Sequence, residues 1–123
     1  MRSKEIFMTA DRAPEFARRF TEFGIAQIEF ISKPYQDAFG KMQINVIAQA
    51  PDLSGRSSRV QFDFTDVTML KMKEGPNATF QSVAELTIEF KDGRVCVDFH
   101  APDKDSDFVI HARSLRCTLE SRC

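Results

Sequence analysis

Residues 85–100 read ELTIEFKDGRVCVDFH. Asp92-Gly93 separates two runs that alternate apolar with polar, and this pair suits a type I′ turn, whose two central residues both need positive φ. A two-residue turn fixes the register. Lys91 then pairs with Arg94, Phe90 with Val95, Glu89 with Cys96, Ile88 with Val97, Thr87 with Asp98, Leu86 with Phe99 and Glu85 with His100. Opposite residues share a face. One face of the hairpin therefore carries only Leu86, Ile88, Phe90, Val95, Val97 and Phe99. The other carries Glu85, Thr87, Glu89, Lys91, Arg94, Cys96, Asp98 and His100.

The same period of two extends upstream and downstream. Ala26, Ile28 and Phe30 alternate with Gln27 and Glu29; Met42, Ile44, Val46 and Ala48 with Gln43 and Asn45; Val60, Phe62 and Phe64 with Gln61 and Asp63. Each run reads as a strand with one dry face. The apolar phase slips after Phe64, to Val67 and Met69, and after Ala112, to Leu115, Cys117 and Leu119. A bulge or bend near Thr65-Asp66 and near Arg113-Ser114 accounts for both slips and increases the curl of the sheet. A short strand over residues 5–9 leads into the stretch DRAPEFARRFTEFG (11–24), where Phe16, Phe20 and Phe23 recur at helical spacing. Asp11 suits its N-cap, Pro14 its first turn and Gly24 its end, with Glu15–Arg19 and Arg18–Glu22 as i,i+4 pairs. The expected fold is α+β and mostly β: one N-terminal helix packed on a curled antiparallel sheet of about six strands, with residues 1–123 as a single domain.

The bulk numbers narrow the function. The chain has 42% hydrophobic residues and 28% charged ones, yet a net charge of -1. It can bury a core and has no field that selects polyanions. Three cysteines without framework spacing suggest free thiols in a reducing cytoplasm, and no apolar run reaches the roughly 20 residues of a membrane-spanning helix. Nucleic acid is disfavoured, because the basic residues are interleaved with acids and most of the 12 phenylalanines fall on apolar phases.

Candidate chemistry is sparse. Cys96 and His100 lie four positions apart on one strand, roughly 13 Å, whereas a thiol and its base must approach to about 3 Å. His100 is expected to pair across the ladder with Glu85. Glu85, Asp98 and His100 offer acid–base or zinc-ligand types, but the two histidines lack any CxxC or HExxH context. Asp103, Asp105 and Asp107 have calcium-loop spacing but lack its glycine and its closing glutamate. The segment PDLSGRSSR (51–59) has the composition of a phosphate loop without GK[ST]. No catalytic set, cofactor or metal site is assigned. Tyr35 and Phe39, in KPYQDAFG (33–40), and Phe80 fall outside the alternation and suit interface anchors.

The expected function is a non-enzymatic protein-binding module, such as a small intracellular inhibitor or immunity-type protein. Its expected contacts are Glu85, Glu89, Arg94, Asp98, His100, Asp103 and Asp105, with another protein as partner or a second copy through a sheet edge. The alternative is a carrier or sensor of a small ligand, with an apolar pocket between helix and sheet.

Overall fold

The computed structural model describes residues 2–22, 24–51, 57–73, 82–102 and 106–121. In chain order the elements are β1 (Arg2–Phe7), α1 (Ala13–Phe20), β2 (Ala26–Ile31), β3 (Tyr35–Gln36), β4 (Met42–Pro51), β5 (Ser57–Lys73), β6 (Ser82–Val83), β7 (Glu85–Lys91), β8 (Arg94–His100) and β9 (Asp107–Ser121). The nine strands form one sheet in the order β6-β2-β4-β5-β9-β8-β7, with β1 added to β9 and β3 to β4. All pairings are antiparallel. Six long strands match the alternating runs. The others are β1, which starts three residues before the expected 5–9, and the two-residue β3 and β6.

The β7–β8 hairpin has the register that the Asp92-Gly93 turn dictates, from Lys91↔Arg94 to Glu85↔His100. Asp92 has φ 54° and Gly93 φ 74°, as a type I′ turn requires. Of its apolar face, Leu86, Ile88, Val95, Val97 and Phe99 are buried; Phe90, beside the turn, is exposed.

β5 and β9 hold the molecule together because each serves two half-sheets. The first part of β9 pairs with β8, from Asp98↔Val109 to Val95↔Ala112. Its second part pairs with β1, from Phe7↔Arg116 to Arg2↔Ser121. The partner changes where the sheet bends. On β5, Asp66 has φ 59° and bends the strand where a bend was expected, while the register slips two residues further on, between Val67 and Met69. On β9 no register slip occurs near Arg113-Ser114: Thr65↔Ser114 and Val67↔Ala112 flank a regular step. The reversal at Asp66 bends both strands together, and Arg113 Nε lies 3.9 Å from the Asp66 carboxylate.

The curl brings distant rings into contact. Phe62 on β5 meets Phe99 on β8 with ring centroids 5.3 Å apart, although β9 lies between these strands and a flat sheet would hold them at least about 10 Å apart. Phe62 also meets Phe64, Phe16 and Phe20, and Phe99 meets Phe64 and Phe108. These six rings fill the concavity, and α1 closes it against β7.

The helix is shorter than the expected 11–24. It begins at Ala13 with Arg12 at the N-cap position and no side-chain cap. Asp11 sits instead in a turn in which the Thr9 carbonyl accepts from the N–H groups of Arg12 and Ala13, at 3.1 and 3.0 Å. The helix ends at Phe20, and Gly24 takes φ 143° in the connection to β2. Both expected ion pairs form, Arg18–Glu22 at 2.9 Å and Glu15–Arg19 at 4.0 Å. Phe23 lies outside the described residues. No helix among the described residues is long and apolar enough to cross a membrane.

Candidate binding face

The polar side of the β7–β8 hairpin forms one half of the outer face of the sheet. Glu85, Glu89 and Arg94 are exposed there, and Asp98 and His100 are half-buried. Asp103 and Asp105 lie outside the described residues; their neighbour Asp107 pairs with Lys71 at 3.5 Å. The expected His100–Glu85 contact is replaced by another. His100 Nε2 lies 2.9 Å from Thr87 Oγ1 and 3.6 Å from Asp98 Oδ2, because strand twist carries a long side chain onto its diagonal neighbour as readily as onto the directly opposite one. Partial burial pushes the Asp98 carboxyl above its usual range, against the pull of His100; Asp107 adds to the rise and Lys71 opposes it.

The β8–β9 pairing assembles a row that the hairpin alone does not reveal: Glu89, Cys96, His111 and Met69 follow one another across four strands. Cys96 and His111 are ladder neighbours, yet no described contact joins sulfur to imidazole, and nucleophilic catalysis needs that hydrogen bond. No group of three His, Cys, Asp or Glu side chains among the described residues is placed to hold a metal ion. Cys117, on the inner face, is fully buried, and burial holds its thiol far above the usual range.

Across the bend, the other half of the outer face has a different character. β4 and β5 pair as Gln43↔Thr65, Asn45↔Asp63 and Ile47↔Gln61, and β5 and β9 as Thr65↔Ser114, Asp63↔Arg116 and Gln61↔Thr118. Asn45, Asp63, Arg116 and Phe7 thus form one row, β4 to β1. Asp63 is only 9% exposed. Its Oδ1 accepts from Asn45 Nδ2 and, at 2.8 Å, from Gln61 Nε2; Asn45 Oδ1 accepts from the Tyr35 hydroxyl at 2.6 Å. Arg116 stands 3.7 Å from Asp63 Oδ2. These side chains, with Phe7, Tyr35, Gln43, Thr65 and Ser114, line an open recess of about 460 Å³.

Beside the recess, the turn between β3 and β4 is held by Asp37. Its Oδ1 accepts from the backbone N–H groups of Phe39 (2.8 Å) and Lys41 (2.9 Å), and its Oδ2 from Gln43 Nε2 (2.7 Å). The Lys41 amide above all, with smaller help from Gln43 and Phe39, pulls the Asp37 carboxyl below its usual range against the opposing effect of desolvation. At the tip, Phe39 is 86% exposed. Further along the sheet Phe30, 52% exposed, lies opposite Ile47, five residues along β4 from the Met42 that follows the turn. Glu29 sits at the irregularity that breaks the β2–β4 register and binds Gln49 and Arg59, the latter at 3.1 Å.

A second concavity of about 770 Å³ runs between α1 and the ends of β1, β4, β5 and β9. Ile6, Phe16, Phe20, Val60 and Leu119 give it an apolar floor, and its rim is ionic, with Asp11, Arg12, Glu15 and Arg19 among the rim residues. The core rings occupy the space deeper inside.

Sequence reasoning placed Gln43, Asn45, Gln61 and Asp63 on the wet sides of two strands and went no further. The available signal was their type. Amides and a carboxylate at consecutive outward positions of both strands form a network once those strands pair. Comparison with family models, curated proteins and solved structures found no match to this chain.

Proposed function

We propose that the chain is a non-enzymatic protein-recognition module, of the kind that inhibits or masks another protein, and that it docks through the outer face of its sheet. Phe39 carries this reading. A phenylalanine left 86% exposed forgoes about 1.5–3 kcal/mol of burial. Here it stands on a turn already ordered by the Asp37 hydrogen bonds, so little conformational entropy remains to be lost on docking. Phe30 adds a second exposed aromatic, about 17 Å away along β4, and the charged hairpin residues Glu85, Glu89, Arg94, Asp98 and His100 supply a polar rim, the usual anatomy of a protein interface. The alternative, an apolar-ligand carrier, would use the groove beside α1. The ionic rim of that groove favours the protein-contact reading.

The test is comparative capture from a lysate of the source cells. Wild type is set beside Phe39→Ser and beside a hairpin variant carrying Glu89→Lys, Arg94→Glu and Asp98→Lys. Phe39→Ser is expected to weaken the recovered partner at least about tenfold, and the hairpin variant less. Equal recovery by wild type and Phe39→Ser refutes the aromatic anchor.

A further inference from the structure

We infer that the recess around Asp63 and Arg116 is a binding site for a neutral oligosaccharide, read through a pair of adjacent hydroxyl groups. This goes beyond protein recognition and rests on different residues from Phe39.

The donors and acceptors of the recess are unequally used. Three amide NH₂ groups face carboxylates: Asn45 and Gln61 donate to Asp63, and Gln43 donates to Asp37. The carbonyl oxygens of Gln43 and Gln61 are then what those side chains present to anything that enters, while that of Asn45 already accepts from the Tyr35 hydroxyl. Asp63 Oδ1 already accepts two hydrogen bonds, whereas among the described residues Oδ2 has only Arg116, at 3.7 Å. That distance exceeds the 2.7–2.9 Å of a charge-assisted hydrogen bond. A charged acceptor and a charged donor therefore stand side by side with their mutual hydrogen bond unmade.

Charge selects the ligand. An anion would meet Asp63 and a second cation would meet Arg116, in each case at the cost of like-charge repulsion. A purely apolar group would strip water from the carboxylate and amides without replacing their hydrogen bonds. A neutral ligand with neighbouring hydroxyls avoids all three costs. One hydroxyl donates to Asp63 Oδ2 while the next accepts from the Arg116 guanidinium, and further hydroxyls reach Gln61, Thr65 and Ser114.

The walls match the rest of a sugar. Phe7 is 60% exposed and Tyr35 44% exposed, and Tyr35 is fixed by its bond to Asn45. Each offers a ring face to the C–H surface of a pyranose. Four ladder steps separate their strands, through β4, β5 and β9, or about 19 Å at the usual strand spacing. One ring cannot touch both aromatics; two or three linked sugars laid across the strands can. The volume of about 460 Å³ falls within the usual range of roughly 300–1,000 Å³ for ligand sites.

The test is a titration of the isolated protein, followed by ¹H–¹⁵N NMR through the side-chain NH₂ signals of Asn45 and Gln61. The probes are maltotriose, cellobiose, chitobiose and lactose, with adenosine as a ribose diol and N-acetylarginine amide as a cation. At least one oligosaccharide is expected to shift both signals, with a dissociation constant of about 0.1–10 mM. Asp63→Asn is expected to weaken it about tenfold or more, and Arg18→Gln, on the exposed side of α1, to leave it unchanged. Should Asp63→Asn fail to fold, Phe7→Ala leaves the hydrogen-bond network intact and is expected to weaken binding about threefold or more. The inference is overturned if no saccharide shifts these signals. It is also overturned if adenosine or the arginine derivative alone does so, or if the affinity is indifferent to both variants. No protein partner takes part, so failure here is separate from failure of the Phe39 capture.

Discussion

Replacing Phe62 by alanine tests whether the sheet is as tightly curled as its ring contacts imply. Phe62 is fully buried and meets four other rings, those of Phe16, Phe20, Phe64 and Phe99, with centroids between 5.3 and 6.4 Å. A buried Phe→Ala change costs about 3–5 kcal/mol, according to how far the site can collapse. Here neighbours come from α1, β5 and β8, and no single element can move in to fill the space without separating from another. The loss should lie in the upper half of that range, about 4–5 kcal/mol. Against a total stability of about 5–15 kcal/mol, the variant should still fold at room temperature but melt some 10–20 °C lower. Urea unfolding followed by far-UV circular dichroism gives the midpoint and the slope, and the slope should be unchanged.

The Phe62–Phe99 contact is specific to the curl, so it is measured separately. Phe62→Leu, Phe99→Leu and the double variant form a cycle whose coupling should be about 0.5–1.5 kcal/mol, the value of an edge-to-face aromatic pair beyond its buried area. The interplanar angle of 86° is the favourable geometry. A Phe62→Ala loss below about 2 kcal/mol, or a coupling indistinguishable from zero, would refute the closure of β5 onto β8.

Gly93→Ala should cost about 1 kcal/mol in the same assay: φ is 74°, and a Cβ there would meet nothing within 4 Å, so the penalty is in the backbone alone. Unchanged stability would argue against the type I′ turn. Asp98→Asn should give a pH-dependent gain. Burial raises the folded-state pKa of Asp98 above its ordinary value of 3.8, so the folded chain holds this proton more tightly than the unfolded one, and stability is lost as pH rises through that window. The variant should therefore be at least as stable as wild type at neutral pH. Its advantage should vanish below about pH 3.8, where both states of wild type are protonated; an advantage that grows on acidification would contradict the shift.

What could be read in advance depended on how far apart in the chain the interacting residues lie. The hairpin register was fully legible, because two turn residues set seven cross-strand pairs. The bend at Asp66 was legible from the phase slip alone, whereas the register slip between Val67 and Met69 was not. His100 stands opposite Glu85 as expected, but its ring contacts Thr87 and Asp98 instead, because register gives backbone neighbours and a side chain then selects among opposite, diagonal and same-strand partners. The recess was illegible for a different reason. Asn45 and Asp63 are 18 residues apart and Asp63 and Arg116 are 53 apart, and nothing local says that β4, β5 and β9 lie side by side. The Cys96–His111 neighbours escaped notice in the same way.

The composition of the two outer half-faces then separates surface from site. On the hairpin, the outward residues are mostly ones a solvated strand tolerates well, threonine, cysteine and long charged side chains that keep their ends in water, with the half-buried Asp98 as the exception. On β4 and β5, the outward positions include Asn45 and Asp63, residues depleted in strands because their short polar groups compete for the backbone. They stand on interior strands of the sheet, each paired on both sides. Lysine, glutamate or threonine would serve solubility there and suit the strand better. Asp63 moreover spends its charge at 9% exposure, where an apolar replacement is often neutral or stabilising. Two adjacent departures from local preference, joined by one hydrogen bond and flanked by exposed aromatic rings, are what the proposed saccharide site would explain, since a fold gives up stability where recognition requires it.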